Sequence, residues 1–204
     1  SSTYLNLFCF GGTFPDTLLY PFGPQYQDRS TPKADDGASP EISISEYFYF
    51  YGRKYHSLYV NNNGVVSFGN PVSQFTPDPF PLMDGRAFVA PFWADVDNRI
   101  AGEAVLTSDG KMSFVMLNYQ DIQWISGQAS GGDAYTGLEG TPAQAGFNSG
   151  AADNYFNIPG SWTPSIMNIS STSNIVDPGR WVFEVDVFAV PNGCVYKGTL
   201  NATQ

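Results

Sequence analysis

The chain has 204 residues, a net charge of −10 at pH 7 and a sequence pI of about 4.2. Phosphate backbones and anionic lipid surfaces repel such a charge, so the sequence argues against binding to nucleic acids and to membrane surfaces. Hydrophobic residues make up 42% and aromatic residues 16%, which is enough for a sizeable packed core and excludes a chain that is disordered throughout. No run approaches the roughly 20 consecutive apolar residues of a membrane-spanning helix.

The first part of the chain is rich in turn-forming residues. Residues 1–40 contain many prolines and glycines and predict irregular structure. From Glu41 the pattern changes to a β-rich, partly alternating run that ends at Gly52. We divide the chain into an N-terminal extension over residues 1–18, a β domain over 19–190 and a C-terminal tail over 191–204.

The clearest local signal is a β-hairpin. Two apolar runs, residues 55–60 and 65–68, flank three asparagines and Gly64. Asn63 followed by Gly64 between such runs favours a tight hairpin turn, because both residue types tolerate positive φ. Residues 109–110, which are Asp-Gly, predict a second hairpin for the same reason.

The rest of the domain alternates between strands and long loops. The prolines of residues 69–86 are incompatible with a helix and with a central strand, and we expect Phe75, Phe80 and Leu82 in this loop to fold back onto the core. No helical period of 3.6 residues persists over a long window. The prediction is an all-β fold, an antiparallel β-sandwich or barrel-like module with long loops. Further strands are predicted at residues 87–94, 104–107, 112–117, 143–147 and 180–187.

The two cysteines, Cys9 and Cys194, lie near the two extremes of the chain. A disulfide between them would close one domain and contribute roughly 5 kcal/mol in the chain-entropy model. It would also imply an oxidising compartment. Two unrelated thiols, or a bond from Cys194 to a following domain, are the alternatives.

Two N-glycosylation sequons indicate the same compartment. They begin at Asn168, in the sequence Asn-Ile-Ser, and at Asn201, in the sequence Asn-Ala-Thr. Such triplets matter only in a chain that passes through a secretory pathway. Together with the cysteines they favour a secreted, extracellular protein.

Candidate catalytic and metal-binding residues are few. His56 is the only histidine and lies in an aromatic run, so we expect a structural or surface role and no Ser-His-Asp triad. Asp95, Asp97 and Asn98 are the best metal candidates, because carboxylates two residues apart can face one side of an extended segment and Ca²⁺ prefers oxygen ligands. The alternative is turn hydrogen bonding, with Arg86 or Arg99 as partner. We predict no catalytic residue and no other cofactor.

Several longer segments, taken together, resemble one family. Residues 58–68 resemble the signature hairpin of NIDO, or nidogen-like, domains, and those of tectorin-like matrix proteins in particular. The similarity extends in the same order from about residue 19 to residue 187. The other similar segments are residues 72–77, 88–97, 118–124, 127–133, 140–148, 155–161 and 178–183.

The sequence departs from this family at one place. Such domains usually carry a further segment, with another strand, after residues 95–99. Here residues 100–103 pass almost directly into the next predicted strand at Ala104. Either the protein has lost that segment or a disordered stretch is absent from this sequence; we expect the second, with a break near Glu103 and Ala104, and this leaves the number of strands in the sheet open.

The resemblance implies a secreted structural or interaction module without enzymatic activity. In that family the domain occurs in matrix and adhesion proteins, which implies extracellular matrix proteins, or further copies of the chain, as partners. Edge strands that pair between chains are one possible mechanism. A carrier of a small apolar ligand within the β scaffold is the alternative function, and a glycan hydrolase that uses Asp95 and Asp97 is a third.

Overall fold

The computed structural model describes residues 5–9, 18–26, 28–31, 35–95, 101–108 and 110–186, with the backbone alone described for 5–9 and 101–103. Within these residues the chain is mostly strand and loop, with three short 3-10 helices at Pro24–Tyr26, Gln128–Ser130 and Pro164–Ser170. The strands are β1 Leu5–Cys9, β2 Ile42–Phe50, β3 Arg53–Asn61, β4 Val65–Phe68, β5 Ala87–Trp93, β6 Ala101–Ser108, β7 Ser113–Asp121, β8 Gln144–Asn148, β9 Tyr155–Asn157 and β10 Arg180–Glu184.

The strands form two sheets that pack against each other as a sandwich. One sheet has the order β1-β6-β7-β10 and the other the order β2-β3-β4-β5-β8-β9. The predicted all-β sandwich is confirmed, and the barrel-like alternative is wrong because the two sheets do not join into a closed cylinder. All pairs are antiparallel except β1 with β6, which is parallel. The strand β1 lies in the stretch that the sequence assigns to an extension.

The main core lies between the two sheets. Alternation along β4 and β8 directs Val66 and Phe147 inward from the larger sheet. Leu117 and Phe183 meet them from the smaller sheet, and the rings of Phe147 and Phe183 have centroids 4.7 Å apart. Burial of these side chains is the main favourable term in the stability of the sandwich.

A second, smaller core lies on the opposite face of β4 and β5. The proline-rich loop folds over this face, as predicted, and buries Phe80 and Leu82 against Phe88 and Trp93. The indole N–H of Trp93 donates to the Gln74 carbonyl oxygen over 2.9 Å, which fixes the loop in place. The loop residues therefore cover a separate core, and Phe75 in the same loop is only half-buried.

The predicted hairpin joins β3 and β4 through a loop of residues 62–64. Of Asn63 and Gly64, only Gly64 has a positive φ, at 77°. A Cβ at Gly64 would collide with the carbonyl of Phe92, so glycine is required both by backbone conformation and by space. The buried side chain of Asn61 donates to the Val65 carbonyl and accepts from the Val72 N–H at 2.7 Å, which ties the hairpin to the proline-rich loop.

Candidate interaction surfaces

The described member of the predicted calcium site, Asp95, acts as a hydrogen-bond acceptor for the backbone. Its carboxylate accepts from the Ala129 N–H at 2.7 Å, in the first turn of the 3-10 helix Gln128–Ser130. Asp97 and Asn98 lie outside the described residues. Among the residues that are described, no group of three or more His, Cys, Asp or Glu side chains could hold a metal ion. The calcium site stays a prediction.

The predicted disulfide and glycosylation residues are described only in part. The backbone of Cys9 pairs with that of Ser108, while the Cys9 side chain and Cys194 lie outside the described residues. Asn168 is exposed on the 3-10 helix Pro164–Ser170, and Asn201 lies outside the described part of the chain. The disulfide and both glycans therefore stay predictions.

The outer edge of β10 is closed by side chains. The Asn174 amide donates to the Val182 carbonyl over 2.7 Å and accepts from the Val182 N–H at 2.9 Å. The Ser173 hydroxyl donates to the Arg180 carbonyl. These groups occupy the positions that the backbone of a neighbouring strand would use, so they prevent β10 from pairing with another chain.

The edges of the larger sheet are also unsuited to strand addition. At one edge β9 has three residues. At the other edge β2 has a large bulge, because residues 44–47 oppose His56 alone between the pairs Ser43–Ser57 and Phe48–Tyr55. Further along β2, the Ser108 hydroxyl donates to the Tyr47 carbonyl over 2.7 Å and ties the strand to the smaller sheet. The predicted pairing of edge strands between chains thus has no support at β2, β9 or β10.

The β2–β3 hairpin carries an exposed cluster of Tyr47, Lys54 and His56 on its outer face, with Arg53 on the opposite face beside the turn, and we call these four residues the hairpin corner. The Tyr47 side chain is 44% exposed, and the Lys54 ammonium nitrogen lies 4.6 Å from its ring centroid. The His56 ring packs edge-on against Tyr47 at a centroid distance of 6.4 Å. Arg53 is exposed at the start of β3. Tyrosine is enriched among the residues that dominate binding energy at protein–protein interfaces, so the exposed Tyr47 makes this corner a candidate contact site.

Two arginines elsewhere in the described part of the chain, Arg86 and Arg180, are engaged within the fold. The Arg86 guanidinium pairs with Asp84 at 2.6 Å and donates to the Gln74 side chain. The Arg180 guanidinium is buried and donates to the Asn118 side chain over 3.0 Å. The hairpin corner therefore differs from these two sites, because Arg53 and Lys54 present their charges to solvent.

A second surface, which we call the loop end, consists of Asp133, Tyr135, Leu138, Glu139 and Trp162. Tyr135 is 90% exposed, Leu138 40% and Trp162 44%. Backbone hydrogen bonds run from Ile125 to Gly137, from Ala143 to Ile125 and from Trp162 to Ala143. This row of hydrogen bonds joins the segments that carry Gly137 and Trp162.

The loop end is held in a fixed conformation. The Asp133 carboxylate accepts from the N–H groups of Tyr135 and Thr136 at 3.0 Å and 2.8 Å. Glu139 and Trp162 have φ angles of 69° and 57°, in the left-handed region that residues other than glycine rarely adopt. Strained backbone of this kind is concentrated at functional sites, and here it positions an exposed tryptophan.

The two surfaces lie at opposite ends of the sandwich. β3 starts at Arg53 in the hairpin corner and ends at Asn61, about 26 Å further along a strand of that length. The turn after Asn61 contacts the end of β5, where the Ala94 N–H donates to the Asn63 carbonyl over 3.2 Å. Asp95 follows the end of β5, and its carboxylate accepts from the Ala129 N–H in the loop that also contains Asp133. The first end carries Arg53 and Lys54 together with Asp186, whose carbonyl accepts from the Gly52 N–H, and the second end carries Asp133 and Glu139.

The fold and its exposed ends define an all-β sandwich module. The nidogen-like domain family matches residues 56–105 and 103–187, and the chain belongs to this family. It is 43% identical to human alpha-tectorin over 90% of the chain and 44% identical to chicken alpha-tectorin over 82%. Human nidogen-1 is 24% identical over 91% of the chain. No solved structure matches the chain significantly.

The chain covers only part of each of these relatives. It spans 11% of human alpha-tectorin and 20% of human nidogen-1. The two segments of the family match meet at residues 103–105, which is where the sequence departs from the family. In the structure β6 crosses this point and pairs with β7 from Ala101 to Ser108. No described helix has the length and apolarity needed to span a bilayer.

Proposed function

We propose that this chain is a secreted extracellular module that acts by protein–protein contact in a matrix or in the assembly of filaments. Its membership of the nidogen-like family and its likeness to alpha-tectorin support this function. The observation that carries the mechanism is the pair of exposed aromatic surfaces at the two ends of a closed sandwich. Extracellular matrix proteins, or further copies of the chain, are the partners that this proposal implies.

The interior favours contact over ligand transport. Aromatic rings fill the space between the sheets, with Phe50 and Phe68 at a centroid distance of 5.1 Å and Phe92 and Trp124 at 5.2 Å. A carrier for an apolar ligand requires an open cavity instead of such packing. Asp95, the residue proposed for a hydrolase, already accepts a backbone hydrogen bond, which supports a structural role. We therefore propose that the module has no enzymatic activity.

The position of β1 supports the disulfide between Cys9 and Cys194. Cys9 pairs with Ser108, whose hydroxyl also binds Tyr47, so it lies at the end of the sandwich that carries the hairpin corner. The carbonyl of Asp186, the last described residue, accepts from Gly52 at the same end. The eight residues from Asp186 to Cys194 reach at most about 28 Å, which is enough to return to Cys9.

Retention on a cell-free extracellular matrix tests the proposed function. The purified module should bind, and the double variant Tyr47→Ala and Trp162→Ala should bind less, because exposed aromatic residues dominate contact energies. Met83→Ser is the matched control, since Met83 is 76% exposed but belongs to neither surface. A wild-type module that binds neither the matrix nor further copies of itself would contradict the proposal. Turnover of any glycan substrate would also contradict it.

Intact mass of the protein secreted from eukaryotic cells tests the covalent features. We expect the mass of a disulfide between Cys9 and Cys194, and glycans at Asn168 and Asn201 that an amidase removes. Exposure of Asn168 on its 3-10 helix supports the first glycan. Two free thiols would contradict the disulfide. A secreted chain without glycans would contradict the glycosylation of Asn168 and Asn201.

A further inference from the structure

We propose that β6 carries a strand-acceptor edge, and that β1 of a second copy docks there in place of the chain's own β1. This inference rests on the proposed function and names a second copy as the partner. In the structure β1 lies beside β6 at the edge of the smaller sheet, from Leu5 opposite Ala104 to Cys9 opposite Ser108. Because both copies carry the same strand and the same edge, exchange reproduces each β1–β6 pairing between two molecules.

The strand β6 requires a neighbour on each side. Ala104, Val105 and Leu106 are consecutive, and none of them is more than 6% exposed, so β6 is buried on both faces. On one side it pairs with β7 from Ala101 to Ser108. Without a strand on the other side, its outer N–H and C=O groups would lack partners in a buried strand, which is costly. The ligand that fits this edge is therefore an extended backbone segment.

The strand that fills the edge comes from outside the family domain. The nidogen-like match begins at residue 56, and its two segments meet inside β6. The alignments with human alpha-tectorin and human nidogen-1 run over 243 and 253 residues, more than the 204 residues of the whole chain. These relatives therefore contain residues that this chain lacks, and the break in the match places them at β6. Here β1 takes this edge, in the one parallel pair among the described strands.

The strand β1 is the end of an arm that is anchored on the far side of the sheet. The Arg180 guanidinium donates to the Leu18 carbonyl over 3.0 Å, and Arg180 begins β10, at the edge opposite β1. The nine residues from Cys9 to Leu18 reach at most roughly 30 Å. Four neighbouring strands are only about 14 Å across. An arm of this length reaches its own β6 and also the β6 of a molecule alongside.

Local charge does not oppose the exchange. The sequence of β1 is Leu-Asn-Leu-Phe-Cys, which carries no charge, so its transfer brings no like charges into contact. Each copy still has a net charge of −10, and salt screens the repulsion between whole molecules. Salt should therefore promote the exchange. The edges at β2, β9 and β10 are bulged, short or capped, so they do not compete for the arm.

The exchange should depend on how concentrated the copies are. A short tether gives β1 an effective concentration in the millimolar range at its own β6, so dilute molecules keep their own strand. Copies that are crowded together, as in a matrix, reach the concentration at which the two arrangements compete. The proposed disulfide between Cys9 and Cys194, when it forms after exchange, joins two chains and makes their association permanent.

Disulfide trapping between two full-length variants tests the proposal. Both carry Cys9→Ser and Cys194→Ser; the donor adds Phe8→Cys and the acceptor adds Thr107→Cys, because these positions pair between β1 and β6. Opposed residues on neighbouring strands are close enough for a disulfide. At about 1 mM of each, a covalent donor–acceptor dimer should form about tenfold faster than with an acceptor that carries Met83→Cys instead. Met83 is 76% exposed and lies in the proline-rich loop.

Three further samples sharpen the test. A single chain with both Phe8→Cys and Thr107→Cys should close the bond within one molecule in dilute solution, which checks the register of β1. Leu7→Pro in the donor should abolish the trapped dimer, because proline disrupts a strand, whereas Leu7→Val should retain it. About 0.5 M salt should increase the yield of the dimer. Non-reducing gel electrophoresis measures the products, and far-UV circular dichroism confirms that each variant is folded.

The outcomes separate this inference from the proposed function. A donor–acceptor dimer that forms no faster than the Met83→Cys control would overturn the exchange, as would an intramolecular bond that fails to form. A chain that exchanges no strand yet is retained on matrix would overturn this inference alone. A chain that does neither, and does not bind further copies in any other way, would also overturn the proposed function.

Discussion

The interior and the two ends of the sandwich use the same residue types for opposite purposes. Phe48 and Phe50 of β2 are buried in the main core, whereas Tyr47 on the same strand is exposed beside Lys54. The difference arises from the alternation of the strand, because Tyr47 and Phe48 are consecutive and their side chains point to opposite faces of the sheet. We therefore expect stability to depend on the interior and the proposed recognition to depend on the ends, so substitutions in the two regions should affect different measurements.

The largest effect on stability is expected from Phe147→Ala. Phe147 is buried and contacts Phe50, Phe156 and Phe183, so its removal leaves a cavity between the sheets. The free energy of unfolding should fall by about 3–5 kcal/mol, as for other large-to-small core substitutions. Denaturant unfolding measures the change, and Phe147→Leu, which keeps most of the volume, should lose less. A loss below about 1 kcal/mol would mean that the interior is not the source of stability.

Opening the edge of β10 should have a moderate effect. Asn174→Ala removes both hydrogen bonds to Val182, and we expect a loss of about 1–3 kcal/mol together with a new tendency to aggregate. Thermal denaturation and turbidity measure the two effects. Ser171→Ala, at an exposed site nearby, is the control. Aggregation unchanged from the wild type would show that these side chains do not protect the edge.

A substitution at the loop end should separate stability from recognition. Glu139→Gly relieves the left-handed backbone at an exposed site and should raise the free energy of unfolding by about 0.5–1 kcal/mol. The same change removes a carboxylate from the loop end, so retention on the extracellular matrix should weaken. Glu46→Gly, within β2, should lower stability instead. A variant that is more stable and is retained as well as the wild type would break the division between interior and ends.

The smallest effect concerns pH. Partial burial, with a contribution from Asp186, raises the pKa of Glu184 above its ordinary 4.5. The folded state therefore holds this proton more tightly than the unfolded state does. Its contribution to stability is present at low pH and is lost as pH rises from the unfolded pKa through the folded one. Glu184→Gln should flatten this part of the dependence of the melting temperature on pH; an unchanged profile would contradict the assignment.

Local sequence patterns predicted the strands well but not how they meet. Apolar and β-rich runs located β2 to β5, alternation located β10, and Asn63-Gly64 located the hairpin, because these signals depend on residues close in the chain. The parallel pairing of β1 with β6 was missed, since the first residues carry no pattern that names a partner. The choice of a sandwich over a barrel likewise depends on which strand edges join, which alternation does not specify.

The candidate surfaces were harder to predict than the fold. Tyr47 and Lys54 occur in the sequence as ordinary strand residues, and the β2–β3 register, in which Lys54 pairs with Tyr49, places Lys54 over the Tyr47 ring. Trp162 and Tyr135 lie in loops whose course depends on hydrogen bonds to distant segments. The high aromatic content of the chain predicted a packed core, but not which aromatic side chains would remain exposed. Asn174 was not recognised as an edge-closing residue either, because its hydrogen bonds to Val182 depend on the tertiary structure.

The sequence by itself determined an acidic, aromatic-rich, all-β chain of the nidogen-like family, because composition, alternation and turn residues act over short distances. Only the tertiary structure decided which aromatic side chains are buried and which are displayed at the two ends. It also decided that β2 has a bulge, that β9 is short and that side chains cap the edge of β10. These properties depend on strand register and on contacts between segments far apart in the chain, where small shifts reverse the face that a side chain occupies.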